Sequence, residues 1–212
     1  MKRFLFVSLV MVGFMGSLKA NAEETAPANV EHGFVGADKC GMCHKSDAKG
    51  AQYKIWKESG HARAYETLGT DTAKEIAKKA GLEGDPQKSD ECLVCHVTAF
   101  KADTSLLGEK FRMEDGVQCE HCHGAGADYA KMSVMKDSQA AVANGLVHPT
   151  AAVCAGCHNE KAPTWDTAVG FEAQAAWKKI AHYQPGHEGE LPAAPGAAPE
   201  YKPESAPEPE TK

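Results

Sequence analysis

Apolar positions along this chain fall into one long run and a few short periodic stretches. The run, "FLFVSLVMVGFMGSL" (4–18), follows the basic "MKR" and precedes the small residues "ANA" at 20–22. That order predicts a cleavable export signal over 1–22 and a mature chain starting at Glu23. At roughly fifteen residues the run falls short of the ~20 that a spanning helix needs. No second such run occurs, so the mature chain is expected to have no transmembrane segment and to be periplasmic or extracellular. Helical spacing appears in "QYKIWKESGHARAYETL" (52–68), broken at Gly60. It recurs in "TAKEIAKKAG" (72–81), where Thr72 and Glu75 form a capping-box pattern and Gly81 a stop. Further helices are predicted within 125–145 and over 170–183, where Phe171, Ala175, Trp177 and Ile180 share a stripe. A short hairpin is expected over "GEKFRMEDGVQC" (108–119). No alternating strand series is present, so the fold class is mainly α with long wrapping loops.

Composition divides the chain further. Residues 23–35 read as a flexible lead-in. From 185 onward come seven of the eleven prolines and six acidic residues, the pattern of a disordered acidic tail. A domain of about 150 residues remains, 36–184, in a chain of only 7% aromatic residues with short apolar runs.

Cysteine supplies the decisive pattern. All eight cysteines fall in four pentads: "CGMCH" (Cys40, Cys43, His44), "CLVCH" (Cys92, Cys95, His96), "CEHCH" (Cys119, Cys122, His123) and "CAGCH" (Cys154, Cys157, His158). Eight reduced thiols are at risk in an oxidising compartment unless they are capped. Zinc sites pair two cysteines with a separate second pair of ligands, whereas here histidine follows the second cysteine four times. That is the attachment signature of c-type haem. On a helical turn, positions i, i+3 and i+4 share a face, so two sulfurs can take the vinyl carbons of one porphyrin edge. The adjacent imidazole then meets the iron as proximal ligand. Four covalent haem c groups are therefore expected, supplying much of the apolar core, and without haem the chain should not fold. The intervals between pentads, 47, 22 and 30 residues, exclude a regular repeat array.

Loss of the signal leaves 20 basic against 29 acidic residues, a net charge of −9. Such a surface disfavours nucleic acid and favours redox partner proteins with basic docking surfaces. Of the six histidines outside the proximal set, His61 and His182 are the best placed as distal ligands. His61 follows a glycine and precedes a helix-like segment; His182 ends an amphipathic stretch. His148, six residues before Cys154, is a further candidate. His121 lies between the cysteines of its own pentad, and His32 and His187 lie in the flanks. Met132, Met135 and Tyr129 read as packing residues rather than ligands.

The stretches "GADKCGMCHKSDAKGAQYKIWKESGHARAYETL", "DECLVCHVTAF", "GVQCEHCHGAGADY" and "VCAGCHNEKAPTW" resemble the tetrahaem cytochrome c-554 family. The likeness covers most of residues 34–184, and its most specific part runs from Trp56 through "SGHARA". It implies a mostly helical domain with stacked haem pairs. His61 resembles the family's distal ligand for the haem carried by His158, and His182 that for the haem carried by His123. The family places a histidine about ten residues after the third pentad for the first haem, and "GAGADYAKMSVMKD" has none. That position is open to His148, His121, a methionine, or a histidine of a neighbouring molecule. In the family's namesake, which takes electrons from hydroxylamine oxidoreductase, the second haem is five-coordinate, so the haem on His96 is a candidate open site. Some similar tetrahaem proteins of metal-reducing microbes polymerise into extracellular filaments, a role for which His32 would suit as a ligand supplied in trans.

The expected function is electron transport: single electrons passed along closely spaced, mostly bis-histidine haems, by a periplasmic carrier or a wire for extracellular electron transfer. No catalytic residue is assigned, and the chain is not expected to be an enzyme. The rival reading is a haem enzyme whose open iron acts on nitric oxide, nitrite or hydroxylamine.

Overall fold

In the computed structural model, residues 31–186 and Gly189 are described, within a unit that begins at Glu31. The predicted signal peptide, most of the lead-in, His187 and the acidic tail apart from Pro185, Gly186 and Gly189 lie outside the described residues. What is described is helical. Ten short helices are joined by turns: α1 (Ala37–His44), α2 (Gln52–Glu58), α3 (Ala64–Leu68), α4 (Asp71–Lys79), α5 (Asp90–His96), α6 (Cys119–His123), α7 (Met132–Met135), α8 (Ser138–Ala143), α9 (Ala151–Ala155) and α10 (Ala173–Ile180). No described helix is long and apolar enough to cross a membrane.

The pentads set where several helices stop. The first occupies the end of α1, the second the end of α5, and the third is α6 itself. The fourth starts in α9 and continues as a helical turn, with His158 N–H donating to the Cys154 carbonyl at 2.9 Å. Each Cys-x-x-Cys-His unit thus keeps the i, i+3, i+4 face that thioether attachment requires.

Three expectations need correcting. The cap of α4 is Thr70, two residues before the expected Thr72: its Oγ1 accepts from Ala73 N–H at 3.2 Å while Asp71 enters the first turn. An acidic first turn suits the helix dipole, so the helix starts earlier than the Thr72–Glu75 pair suggested. Thr70→Ala should cost about 1 kcal/mol of stability, readable as a lowered midpoint in chemical denaturation of the haem-loaded protein.

No hairpin forms over 108–119. A 3-10 turn occupies Met113–Asp115, and the isolated bridge nearby pairs Phe34 with Leu107. The backbone bonds of this segment go elsewhere: Val117 N–H donates to the His61 carbonyl at 3.0 Å, and Thr98 N–H to the Gly116 carbonyl at 3.0 Å. Gly116 (φ +66°) lies so close to His61 that a Cβ would stand 2.6 Å from its carbonyl oxygen. The sequence 125–145 is helical only over α7 and α8. Before them, Gly126 and Ala127 spend their N–H groups on Glu120 and Gly33.

Burial is thin and local. Ala37, Trp56 and Ala62 form one cluster, joined by Tyr53 and Cys119; Leu68, Leu93 and Val97 form another, joined by Tyr65, Cys92 and Phe100. Trp56 donates its indole N–H to the Val117 carbonyl at 2.8 Å, tying α2 to the strand of chain leading into α6. Beside it Gln118, 1% exposed, accepts from Ala37 N–H, donates to the Arg112 carbonyl and gives its own N–H to Thr98 Oγ1. At the surface Tyr53 and Arg112 both donate to Asp38, holding its carboxyl below the ordinary carboxylate range, chiefly through the tyrosine hydroxyl.

Candidate haem-binding site

The four pentads converge. Helix α1 packs on α6, which brings the Cys40 thiol close to that of Cys119, while Cys40 Sγ donates to the Gly36 carbonyl at 3.8 Å. The Cys157 thiol lies close to that of Cys95, which brings the second pentad near the fourth. Cys122 lies near enough to Cys154 to feel its charge, so the third pentad is also near the fourth. None of the eight cysteines is in a disulfide. Among the described residues no three His, Cys, Asp or Glu side chains gather as a metal-ion cluster.

Two imidazole pairs form. The rings of His61 and His158 lie with centroids 6.0 Å apart at an interplanar angle of 61°, and those of His123 and His182 at the same distance and angle. Nitrogens each about 2.0 Å from a shared metal, with ring centres about 1.1 Å further back, put two centroids roughly 6.2 Å apart. Each pair therefore leaves the room a single iron between two imidazoles takes up. Each pair joins a histidine that ends a pentad to one far away in sequence.

The local chain explains how the rings are aimed. His61 opens a 3-10 turn (His61–Arg63) after the break at Ser59 and Gly60, and its carbonyl is fixed by Val117. His182 lies just beyond α10, its Nδ1 donating to the Ile180 carbonyl at 2.8 Å. His123 Nδ1 donates to the Val147 carbonyl at 3.1 Å, and His96 Nδ1 to the Ala64 carbonyl at 2.8 Å. A carbonyl only accepts, so in all three rings the proton sits on Nδ1 and the Nε2 lone pair is free for a metal. Burial also favours the neutral ring that coordination needs. It pushes His123 down to about 4, with His182 adding to the effect. His61, His158, His182, His44 and His121 are all lowered, burial leading in each.

The remaining candidates sit differently. His44 lies near His182, with the Gln52 side chain beside it. His148 is exposed, close enough to His123 to lower its pKa and adjacent to the Val147 carbonyl that orients that ring. His121 lies toward His61. Among the described residues neither His44 nor His96 shows a facing ring of the kind His158 and His123 have. His32 is held within its own chain, Nδ1 donating to Asp128 Oδ2 at 2.8 Å.

Phe171 was misplaced by periodicity. It precedes α10 and stacks on the His158 ring, with centroids 4.5 Å apart and planes 12° apart. An aromatic residue thirteen positions after a pentad carries no periodic signal of such a role.

These residues fit covalent haem: paired cysteines on helical turns, neutral imidazoles with free Nε2 atoms, and two ring pairs at iron-spanning separation. The four pentads carry the attachment signature of c-type cytochromes. Residues 39–124 match the family described as cytochrome c554 and c-prime, and through that segment the chain is similar to it. Cytochrome c-554 of Nitrosomonas europaea is 37% identical over 99 residues, which take in 45% of this chain. The matched stretch spans 40% of that relative's length. No solved structure matches.

Proposed function

We propose that the chain is an exported tetrahaem cytochrome that passes single electrons between redox partners. In this reading all four pentads carry haem c, with His44, His96, His123 and His158 proximal. His61 completes the site of His158, and His182 that of His123. His148 is the described candidate for a further axial position. The observation that carries the reading is the two imidazole pairs, each joining a pentad histidine to a distant one at 6.0 Å. Haem c, when bound, supplies a one-electron iron couple whose potential follows ligands, burial and hydrogen bonding.

The chain's own part is placement. Proximity of the first pentad to the third, the second to the fourth and the third to the fourth makes one connected set of attachment points. The carbonyls of Ala64, Val147 and Ile180 fix ring orientation and tautomer. An acidic surface favours partners with basic docking faces and salt-sensitive association. Self-assembly would appear as particle mass rising with concentration in scattering.

The test uses the purified, exported protein. A mass four haems above the polypeptide, with low-spin signals in electron paramagnetic resonance of the oxidised form, is the expected result. A colourless product, or a mass short of four haems, overturns the tetrahaem reading. A high-spin signal traced to the His96 haem would favour the rival enzyme that binds nitric oxide, nitrite or hydroxylamine.

A further inference from the structure

Glu120 is a charged residue in a place charges seldom occupy. It is the second residue of the third pentad, it is 2% exposed, and its carboxylate accepts three backbone N–H groups. Val35 N–H reaches Oε1 at 2.8 Å, Gly36 N–H reaches Oε2 at 2.8 Å and Gly126 N–H reaches Oε1 at 2.7 Å. Gly36 is the N-cap of α1, whose own side chain offers nothing to the helix. The carboxylate thus clamps the segment that starts the first pentad's helix to the third pentad. Gly126 permits the approach: a Cβ there would stand 2.9 Å from Oε1.

The three donors are dipoles, so they satisfy the oxygens without cancelling the net charge. That charge lies near both Cys40, whose thiol is pushed up chiefly by Cys119 and burial with Glu120 adding, and Cys119, whose thiol is lowered chiefly by Cys40. On the reading above, these sulfurs become thioethers of the first and third haems. A fixed negative charge in a poorly screened interior favours the more positive, oxidised iron, and two neighbouring irons would feel it together.

We infer that Glu120 is a positioning and tuning residue: it fixes the first pentad against the third and lowers the reduction potentials of the haems on both. The inference rests on haem attachment at those two pentads.

Spectroelectrochemical titration of the haem-loaded full chain tests it. Glu120→Gln should move two midpoints to more positive potential, by about tenfold in the oxidised-to-reduced ratio, or about 59 mV for one electron. Glu120→Asp keeps the charge and should leave those midpoints close to the parent's. Unmoved midpoints in the Gln variant, or equal shifts in both variants, would overturn the inference and leave the tetrahaem reading intact. A parent chain lacking haem at these pentads would remove both. Should the Gln variant fail to mature, redox-difference infrared spectra of the parent with isotopically labelled glutamate provide the second arm. A carboxylate band that shifts on reduction supports the inference; its absence overturns it.

Discussion

Made without attached haem, the chain is expected to lose its cooperative unfolding transition altogether, with most helical circular dichroism gone. The longest described helix, α4, has nine residues, while isolated helices shorter than about 12–15 residues are marginal in water. Tertiary packing must therefore hold the helices, and the polypeptide provides little of it. Ten apolar side chains are buried among the described residues, four of them alanine, and the two clusters contain three buried members each. The haem faces must supply the remaining apolar contact. The variant that checks this replaces Cys119 and Cys122 by serine in one chain. Pentad three lies at the junction of the first and fourth, so its loss should abolish the transition for the whole domain. A chain that still unfolds cooperatively within a few degrees of the parent would refute the argument.

His61→Ala is expected to convert one haem from low to high spin while the others keep their signals. The backbone at His61 is anchored by Val117 and sits between two short helices, so removing the imidazole should leave the main chain in place. What remains opposite His158 is a cavity where a nitrogen ligand stood. Free imidazole in the buffer should enter it and restore the low-spin signal, which a general unfolding would not allow. His182→Ala should produce the same change at the haem of His123, and the double variant two such changes. An unchanged spectrum in His61→Ala would remove its ligand role.

The pentads were legible because covalent attachment demands a fixed spacing, and no tertiary context can hide it. The mainly α class was legible too, in the spacing of 52–68 and 170–183. What escaped depends on partners far along the chain. The segment 108–119 offers a hairpin pattern, yet Gly108 N–H bonds to the Phe34 carbonyl, Val117 N–H to that of His61 and Gln118 N–H to Thr98 Oγ1. The start of 125–145 has helical composition, yet Gly126 is drawn onto the Glu120 side chain and Ala127 onto Gly33. Periodicity assigned Phe171 to a helix stripe, while stacking on His158 keeps it outside α10. Likeness to a family named His61 and His182 and the pentad histidine each would serve, but the 6.0 Å ring separations belong to tertiary geometry.

The two ring pairs share the same mutual tilt, 61°. The mutual orientation of axial rings governs the magnetic anisotropy of a metal between them, so equal tilts would bring the resonances of the two sites close together. Electrons resting at one would then be spectroscopically hard to tell from those at its twin. Assigning each site in the intact molecule would call for selective isotope labelling of one ring, or for a difference in their redox order.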